Sequence, residues 1–310
     1  MTRRAAAGLG RLLPLLLIAA AVVVVAGAAL LAACGGSSGG SSTAQPTATV
    51  TVTASGSATA SPSPSPSPSA APARTTVRVY FLRDGKLGVA ERRVARTTMP
   101  ATASMKELLA GPTSDESAAG LTSAIPAGTR LLALTIDGTT ARVDLSSRFA
   151  SGGGSLSMTA RVAEVVYTLT RFPTVSSVQF LVDGSPVDAL GGEGLVLTDP
   201  QTRADWRDLE PAIFVESPGV GALLQSPFML TGTASVFEGS FQARLVDSSG
   251  RRIVNVIVQA SRGAPGRGRF SKEIAFSTSA KSGTLIVFDQ SMEDGSRQDE
   301  VKIPVTFAAD

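Results

Sequence analysis

Four aspartates in this sequence each stand directly before a glycine, and this pattern has two interpretations. Two carboxylates at a suitable separation can divide the acid and base roles of a glycosidase. Asp-Gly is also a preferred sequence for tight turns, because glycine adopts positive φ without steric cost. The turn interpretation explains all four pairs, so we favour it over a catalytic dyad. The four aspartates are Asp84, Asp137, Asp183 and Asp294.

Two residue counts limit the chemistry that these residues can perform. The sequence of 310 residues contains no histidine, which excludes Ser-His-Asp and Cys-His mechanisms and every zinc site that uses imidazole. It contains one cysteine, which excludes an intramolecular disulfide and a thiolate metal cluster. Carboxylates, lysines and tyrosines remain for acid–base work. We therefore expect no metal, no cofactor and no catalytic residue, and hence no enzyme.

Two local clusters could bind an anion. Gly191-Gly192-Glu193-Gly194 lacks the Lys-Ser/Thr of a P-loop and precedes an extended run, so a tight glycine loop is favoured over a phosphate cradle. A second, basic cluster could contact anionic lipid or a cell-wall polymer, although a solvated loop between strands is favoured. The contact candidates in this basic cluster are Arg251, Arg252, Arg262, Arg267 and Arg269.

Four other residues with reactive or polar side chains are assigned structural roles. Trp206 lies between the two predicted units and is expected to pack between them. Tyr80 and Tyr167 have apolar neighbours on a predicted strand and a predicted helix, so core packing is favoured over catalysis. Asp144 stands at a strand end and is expected to cap the following turn rather than act as a base.

The single cysteine, Cys34, follows Leu31-Ala32-Ala33, and this sequence resembles a bacterial lipobox. Three arginines and then 22 uncharged residues from 12 to 33 precede it, which is typical of an export signal. An uncharged run of this length could also span a bilayer as an uncleaved helix. The lipobox favours a lipoprotein: residues 1–33 form the signal peptide, and Cys34 carries the lipid at the outer face of the cytoplasmic membrane.

Residues 34–76 are predicted to be the lipidated cysteine and a disordered tether. No charged residue occurs between 35 and 73, and Gly, Ser, Thr, Pro and Ala predominate, so few side chains are available to offset the entropy of ordering. As a flexible chain this segment would span about 35 Å. Its composition also permits O-glycosylation, which the sequence does not decide.

The charge balance argues against a nucleic-acid partner. Without the three arginines that precede residue 34, basic and acidic residues are equal in number. A nucleic-acid-binding domain normally carries a strongly basic face. We therefore expect partners other than nucleic acid.

The first folded unit, residues 77–206, is predicted to be α+β, because strands and helices mix without regular βαβ alternation. Asp-Gly turns separate its paired strands, and apolar residues at helical spacing predict its second helix. The predicted strands are Val77–Leu82, Leu87–Val94, Thr129–Ile136, Thr140–Leu145 and Val178–Val182, and the predicted helices are Ser104–Ala110 and Ser157–Arg171.

The second unit, residues 211–308, is predicted to be an all-β immunoglobulin-like sandwich. It shows no helical pattern, and Gly, Pro and Ser turns separate its short strands. The predicted strands are Ile213–Glu216, Phe228–Thr233, Phe241–Val246, Ile253–Gln259, Phe270–Phe276, Thr284–Phe288 and Val301–Phe307.

Short motifs in both units resemble known domains. Those of the first unit are Phe81-Leu82, Leu108-Leu109-Ala110-Gly111-Pro112-Thr113, Ala124-Ile125-Pro126-Ala127-Gly128-Thr129, Val143-Asp144-Leu145-Ser146, Val165-Val166-Tyr167-Thr168-Leu169-Thr170, Phe172-Pro173-Thr174-Val175 and Gly191-Gly192-Glu193-Gly194-Leu195. In this order they resemble the GerMN domain of sporulation and spore-germination proteins. In the second unit, Ser217-Pro218-Gly219, Ser226-Pro227, Gly232-Thr233-Ala234, Val236-Phe237-Glu238 and the stretch 263–270 resemble the immunoglobulin-like domain often found beside GerMN.

The resemblance implies a non-enzymatic, membrane-anchored lipoprotein that scaffolds or modulates a cell-envelope protein complex. GerMN domains occur in a sporulation and germination protein of a trans-envelope assembly and in lipoproteins associated with a sensor kinase. This chain differs from the lipoproteins associated with a sensor kinase, because its second unit is immunoglobulin-like. The expected partners are the membrane, through the lipid on Cys34, and an envelope protein or a second copy of the chain. A cell-wall or polysaccharide-binding module is the alternative, and a carboxylate hydrolase is the least favoured.

Overall fold

The computed structural model describes residues 73–191 and 194–308, and all of these residues belong to one compact unit. The predicted signal peptide, Cys34 and residues 35–72 of the predicted tether lie outside the described residues. The described chain contains an N-terminal domain, residues 74–196, and a C-terminal domain, residues 213–307. A 3-10 helix, Arg203–Leu209, lies between them.

The N-terminal domain contains small sheets and three α-helices. Its strands are β1 (Arg74–Arg83), β2 (Lys86–Ala95), β3 (Leu131–Asp137), β4 (Thr140–Leu145), β5 (Ser177–Val182), β6 (Ser185–Pro186), β7 (Ala189–Leu190) and β8 (Leu195–Val196). Its α-helices are α1 (Pro100–Leu109), α2 (Ser114–Ala118) and α3 (Ser155–Thr170), and Ser147–Ala150 forms a 3-10 helix.

Helix α3 organises the core of this domain. Eleven of its residues are buried, and the helix packs against β1, β5 and α1. It also connects β4 to β5, which pair in parallel within the sheet order β3-β4-β5-β6. A crossover helix is the usual connection between parallel strands, because a tight hairpin cannot join them. The β1-β2 and β7-β8 hairpins complete the domain.

The largest differences from the predicted element boundaries in this domain are at the starts of β1 and α1. β1 begins at Arg74, not Val77, because residues 74–76 pair with 93–95 of β2. The predicted tether, 34–76, therefore overlaps the first strand by three residues. Helix α1 begins at Pro100 rather than Ser104, since proline has the φ of a first helical turn and needs no hydrogen-bond donor there.

Helix α2 was not predicted, although its sequence carries a start signal. The Thr113 side chain accepts a hydrogen bond from the Glu116 N–H, and the Glu116 carboxylate accepts one from the Thr113 N–H, which is a capping box. Arg92 of β2 also donates to both carboxylate oxygens of Glu116. The Thr-x-x-Glu spacing in the sequence is the pattern that could have predicted the start of this helix.

The C-terminal domain is a β-sandwich. Its strands are β9 (Ile213–Ser217), β10 (Leu223–Leu224), β11 (Phe228–Ala234), β12 (Ser240–Asp247), β13 (Arg252–Gln259), β14 (Gly268–Ile274), β15 (Ser282–Gln290) and β16 (Arg297–Phe307). One sheet has the order β14-β11-β9 and the other has the order β10-β16-β15-β12-β13.

Alternating burial explains how the two sheets of this domain pack. Every second residue of β12 is buried, as expected when one sheet face covers the core. Phe241 of β12 packs edge-on against Phe270 of β14, with ring centroids 4.9 Å apart, so the core joins the two sheets. The predicted fold class, an α+β domain followed by an all-β immunoglobulin-like sandwich, is confirmed.

Candidate functional site

The two domains share backbone hydrogen bonds at their junction. The Glu91 N–H donates to the Val220 carbonyl and the Val220 N–H donates to the Val89 carbonyl, both at 2.8 Å. Gly219 permits this approach, because a Cβ there would lie 3.0 Å from the Glu91 nitrogen. Residues 219–220 therefore continue the β1-β2 hairpin across the domain boundary.

Arg203, at the start of the 3-10 helix, lies at the centre of a polar network in this junction. Its guanidinium donates to Glu216 of β9, to the Thr170 hydroxyl at 2.9 Å, and to the Tyr167 carbonyl at 3.3 Å. The same guanidinium lies 4.7 Å from the ring centroid of Tyr167 and 5.3 Å from that of Tyr80. Arg203 thus connects both domains through hydrogen bonds and cation–π contacts.

Two buried tyrosines of the N-terminal domain reach carboxylates across this junction. The Tyr80 hydroxyl donates to Glu216 at 2.8 Å, and the Tyr167 hydroxyl donates to Glu210 at 2.6 Å. Both rings also contact Phe214 of β9, with centroids 6.1 and 5.9 Å apart. Core packing was predicted for both tyrosines, but their hydrogen bonds to Glu216 and Glu210 were not.

Glu210 carries the network into the C-terminal domain. Its second oxygen accepts a hydrogen bond from the Thr233 hydroxyl at 2.9 Å and forms an ion pair with Arg267 at 3.2 Å. Arg267 also donates to the Pro211 carbonyl at 2.9 Å. Each junction carboxylate therefore has at least one arginine and one tyrosine as partners.

The protonation states of the tyrosines limit what the junction can do chemically. Burial raises the pKa of the Tyr80 phenol to about 12. Burial, together with the hydrogen bond to Glu210, raises the pKa of Tyr167 above its ordinary value. Both phenols are therefore protonated at neutral pH and donate hydrogen bonds instead of accepting protons. The network is suited to holding two domains together, not to acid–base catalysis.

The Asp-Gly pairs lie in turns, as predicted. Asp84 and Asp183 have positive φ, 52° and 46°, in the two-residue loops of the β1-β2 and β5-β6 hairpins. Asp137 is the last residue of β3, and Asp294 accepts a hydrogen bond from the Ser296 N–H in the loop after β15. The Asp144 carboxylate accepts a hydrogen bond from the Gly184 N–H at 3.0 Å. Asp144 thus caps the β5-β6 turn and not the turn after its own strand.

The glycine cluster forms the loop of a short hairpin. Gly191 and Gly194 have positive φ, 74° and 70°, and they connect β7 to β8, where Leu190 pairs with Leu195. Gly192 and Glu193 lie outside the described residues. An extended strand follows the loop, as the sequence predicted.

The basic cluster of the sequence separates into different environments. Arg267 is held in the junction, with 18% of its side chain exposed. Arg251 forms an ion pair with Asp247 at 3.0 Å. Arg252, Arg262 and Arg269 are exposed. The five residues therefore do not act as one patch of equivalent cations.

A buried polar pair on α3 was missed by the sequence analysis. Glu164 accepts hydrogen bonds from the Ser123 hydroxyl at 2.6 Å and from the Ala124 N–H at 2.7 Å. Burial raises its pKa to about 8. Arg161 donates to the carbonyls of Phe149 and Gly152, at 2.6 and 3.0 Å. The sequence could have indicated this pair, because Arg161 and Glu164 are ionisable residues within an otherwise apolar helix and such residues need partners when they are buried.

Trp206 is 7% exposed, and its indole N–H has no hydrogen-bond partner among the described residues.

Within residues 73–191 and 194–308, no group of three or more His, Cys, Asp or Glu side chains could hold a metal ion. The helices in these ranges are too short or too polar to cross a membrane.

Comparison with protein families assigns both domains. Residues 78–188 match the Germane family, described as sporulation and spore germination. Residues 212–296 match the Gmad2 family, described as an immunoglobulin-like domain of bacterial spore germination. The chain combines a Germane domain with a Gmad2 domain. Both the GerMN-like unit and the immunoglobulin-like unit predicted from the sequence are thereby confirmed. Among curated proteins no match was found.

Solved structures with similarity to the chain include GerMN domains. The tandem GerMN domains of the sporulation protein GerM from Bacillus subtilis match with 17% identity and a TM-score of 0.39, covering 66% of this chain and 62% of theirs. The first GerMN domain of GerM matches with 20% identity and a TM-score of 0.38, covering 42% and 99%. A candidate lipoprotein of Clostridium perfringens, solved at 2.5 Å, matches with 24% identity and a TM-score of 0.33, covering 44% and 93%.

The two family matches locate the junction relative to the domains. Tyr80 and Tyr167 lie in the matched part of the Germane domain, and Glu216 and Arg267 lie in that of the Gmad2 domain. The segment that supplies Arg203 and Glu210 falls between the matched ranges. Its side chains join the Germane domain to the Gmad2 domain.

Proposed function

We propose that this chain is an exported lipoprotein, lipidated on Cys34, that binds a protein partner of the cell envelope during sporulation or germination and has no catalytic activity. The observation that carries the proposal is the combination of two domains from families of sporulation and spore germination. The lipobox sequence before Cys34 supports anchoring at the outer face of the cytoplasmic membrane.

The chemistry of the junction supports a binding role over catalysis. Its carboxylates, Glu210 and Glu216, are paired with arginines and accept hydrogen bonds from protonated tyrosines. A general base needs a free acceptor that can reach a substrate proton. The absence of histidine from the sequence removes the commonest general base at neutral pH.

An edge strand of the Germane domain is the proposed contact surface. Among the described residues, β3 pairs with β4 along one side and with no strand along the other. Its side chains Leu132 and Ile136 are each 46% exposed. An open strand edge can pair with an extended segment of another protein, and exposed apolar side chains strengthen such contacts. We propose that β3 binds an extended segment of the envelope partner.

Crosslinking in intact cells tests this proposal. The full chain should give a crosslinked species with an envelope protein, and the double substitution Leu132→Lys and Ile136→Lys should abolish it. The matched control is Ile257→Lys, since Ile257 is 67% exposed on β13, which is the edge strand of the larger Gmad2 sheet. This control should retain the crosslink.

The possible results separate the alternatives. Equal loss in the β3 variant and in the Ile257 variant would refute β3 as the contact surface. A crosslinked species that contains this chain alone would show self-association instead of an envelope partner. Hydrolysis of wall glycan by the purified chain at enzymatic rates would refute the non-catalytic proposal.

A further inference from the structure

A groove of about 630 Å³ lies beside the junction, between the 3-10 helix and the outer face of the β14-β11-β9 sheet. This volume is within the range of ligand-binding clefts. Arg203 and Arg207 line the groove from the helix, and Arg267 and Arg269 line it from the start of β14. The contact-candidate arginines Arg267 and Arg269 therefore face two further arginines that are distant in sequence.

The strand alternation directs polar side chains into this groove. Thr231 pairs with Ser271, and Thr233 pairs with Arg269, across β11 and β14. Directly opposed residues and residues two apart share one face of a sheet. The intervening Phe270 is buried on the other face. The groove floor therefore presents the Thr231 and Ser271 hydroxyls on the same face as Arg269, whereas the Thr233 hydroxyl already donates to Glu210.

The acidic residues of the groove are already paired. Glu216 accepts hydrogen bonds from Tyr80 and Arg203, and Glu210 pairs with Arg267. The side chains of Arg207 and Arg269 make no hydrogen bond or ion pair with any described residue, and both are exposed. The groove therefore holds two free positive charges.

A free guanidinium on each wall and hydroxyl donors on the floor suit a phosphate group. A phosphodiester carries its negative charge on two non-bridging oxygens, and each of them accepts hydrogen bonds from more than one direction, so one group can bind both guanidinium groups and a hydroxyl. We propose that this groove binds phosphodiester groups, with Arg207 and Arg269 as the contacting residues. This site is independent of the β3 contact surface and goes beyond the protein-binding function proposed above.

Two sources could supply a phosphodiester outside the membrane, a phosphate-linked polymer and a phospholipid headgroup. The test uses the full chain in phosphatidylcholine vesicles, titrated with poly(glycerol phosphate). Trp206, the one tryptophan of the sequence, lies in the helix beside Arg207 and reports binding by its fluorescence. A second set of vesicles contains about one third phosphatidylglycerol, which gives the surface a negative charge that attracts basic residues. These vesicles test binding to a phospholipid headgroup.

The variants separate a specific site from general charge. Arg207→Ala with Arg269→Ala should weaken binding at least tenfold, because each substitution removes charge-assisted hydrogen bonds to the phosphate. The matched control, Arg252→Ala with Arg262→Ala, removes the same charge from exposed residues outside the groove. It should change binding less than twofold.

Each outcome supports or overturns the proposal. Binding of the polymer, or of the anionic vesicles, that depends on Arg207 and Arg269 supports it and identifies the source. Equal weakening by both double substitutions would show nonspecific attraction and overturn it. Tighter binding to poly-glutamate than to poly(glycerol phosphate) would assign the groove to acidic peptides instead. Thermal denaturation of both double variants checks that they remain folded, and the absence of any phosphate-dependent signal in the wild type would also refute the site.

Discussion

The buried carboxyl of Glu164 predicts a pH dependence of stability that one substitution can isolate. Glu164 is fully buried on α3 and is held by the Ser123 hydroxyl and the Ala124 N–H. Burial disfavours its charged form and raises its pKa to about 8, against an ordinary value of 4.5. The nearby positive charge of Arg161 favours ionisation but is outweighed. The carboxyl is therefore mostly protonated in the folded protein at neutral pH.

The sign and size of the effect follow from proton linkage. Because the folded state binds this proton more tightly than the unfolded state, the resulting stability is complete below pH 4.5, declines as pH rises, and is lost above pH 8. The slope approaches about 1.4 kcal/mol per pH unit. Between pH 5.5 and 7.5 the free energy of unfolding should therefore fall by about 2.5 kcal/mol more in the wild type than in a variant without this group.

Glu164→Gln is that variant. Its amide oxygen can accept the Ala124 N–H, and its amide nitrogen can donate to the Ser123 hydroxyl, but it does not titrate. Urea denaturation of the purified full chain at several pH values measures the difference. Glu273→Gln, at an exposed position on β14, is the control and should keep the wild-type slope. If the wild type and Glu164→Gln lose stability in parallel over this range, the reasoning is wrong.

Four further predictions address the anchor, the junction and metal binding. Cys34→Ala should abolish lipidation and lipoprotein-type cleavage, and mass spectrometry that finds a free thiol at Cys34 in the wild type would contradict the anchor. Arg203→Ala should lower the free energy of unfolding by about 2 kcal/mol because it removes charged hydrogen bonds from the junction. The exposed Arg207→Ala should change this free energy by less than about 0.5 kcal/mol, and equal effects in denaturant titrations would count against the role of Arg203. Gly219→Ala should destabilise the chain by about 1–3 kcal/mol, because the new Cβ would lie 3.0 Å from a backbone nitrogen of β2; unchanged stability in the same titration would contradict this close approach. A chelator should leave the melting temperature unchanged, and a lower melting temperature would reveal a bound metal.

Local patterns predicted most of the secondary structure. The strand Thr140–Leu145 has the predicted bounds, and α3 differs from its prediction by two residues at the start and one at the end. In both cases, residues close in sequence supply the turn chemistry or the apolar period that defines the element. Boundaries moved where a distant pairing extended an element, as in β1, whose first residues pair with the end of β2.

The junction could not be predicted from the sequence, because its contacts join residues far apart in the chain. Tyr80 and Glu216 are separated by 136 residues, and each alone has an ordinary local interpretation, as a core tyrosine and a strand-end acid. The sequence analysis grouped Arg267 with arginines that are near it in the chain, whereas its ion-pair partner Glu210 lies in the segment between the two domains.

The sequence by itself determined the two domain types, their order and the exclusion of histidine chemistry, since these depend on composition and on patterns within a few residues. Tertiary structure alone decided which charges are paired and which remain free. Arg203 and Arg207 are four residues apart on one 3-10 helix, yet the first is half-buried and paired in the junction network, whereas the second is exposed in the groove. The physical reason is that packing of the Germane domain against the Gmad2 domain places carboxylates and aromatic rings around Arg203 and leaves Arg207 facing solvent.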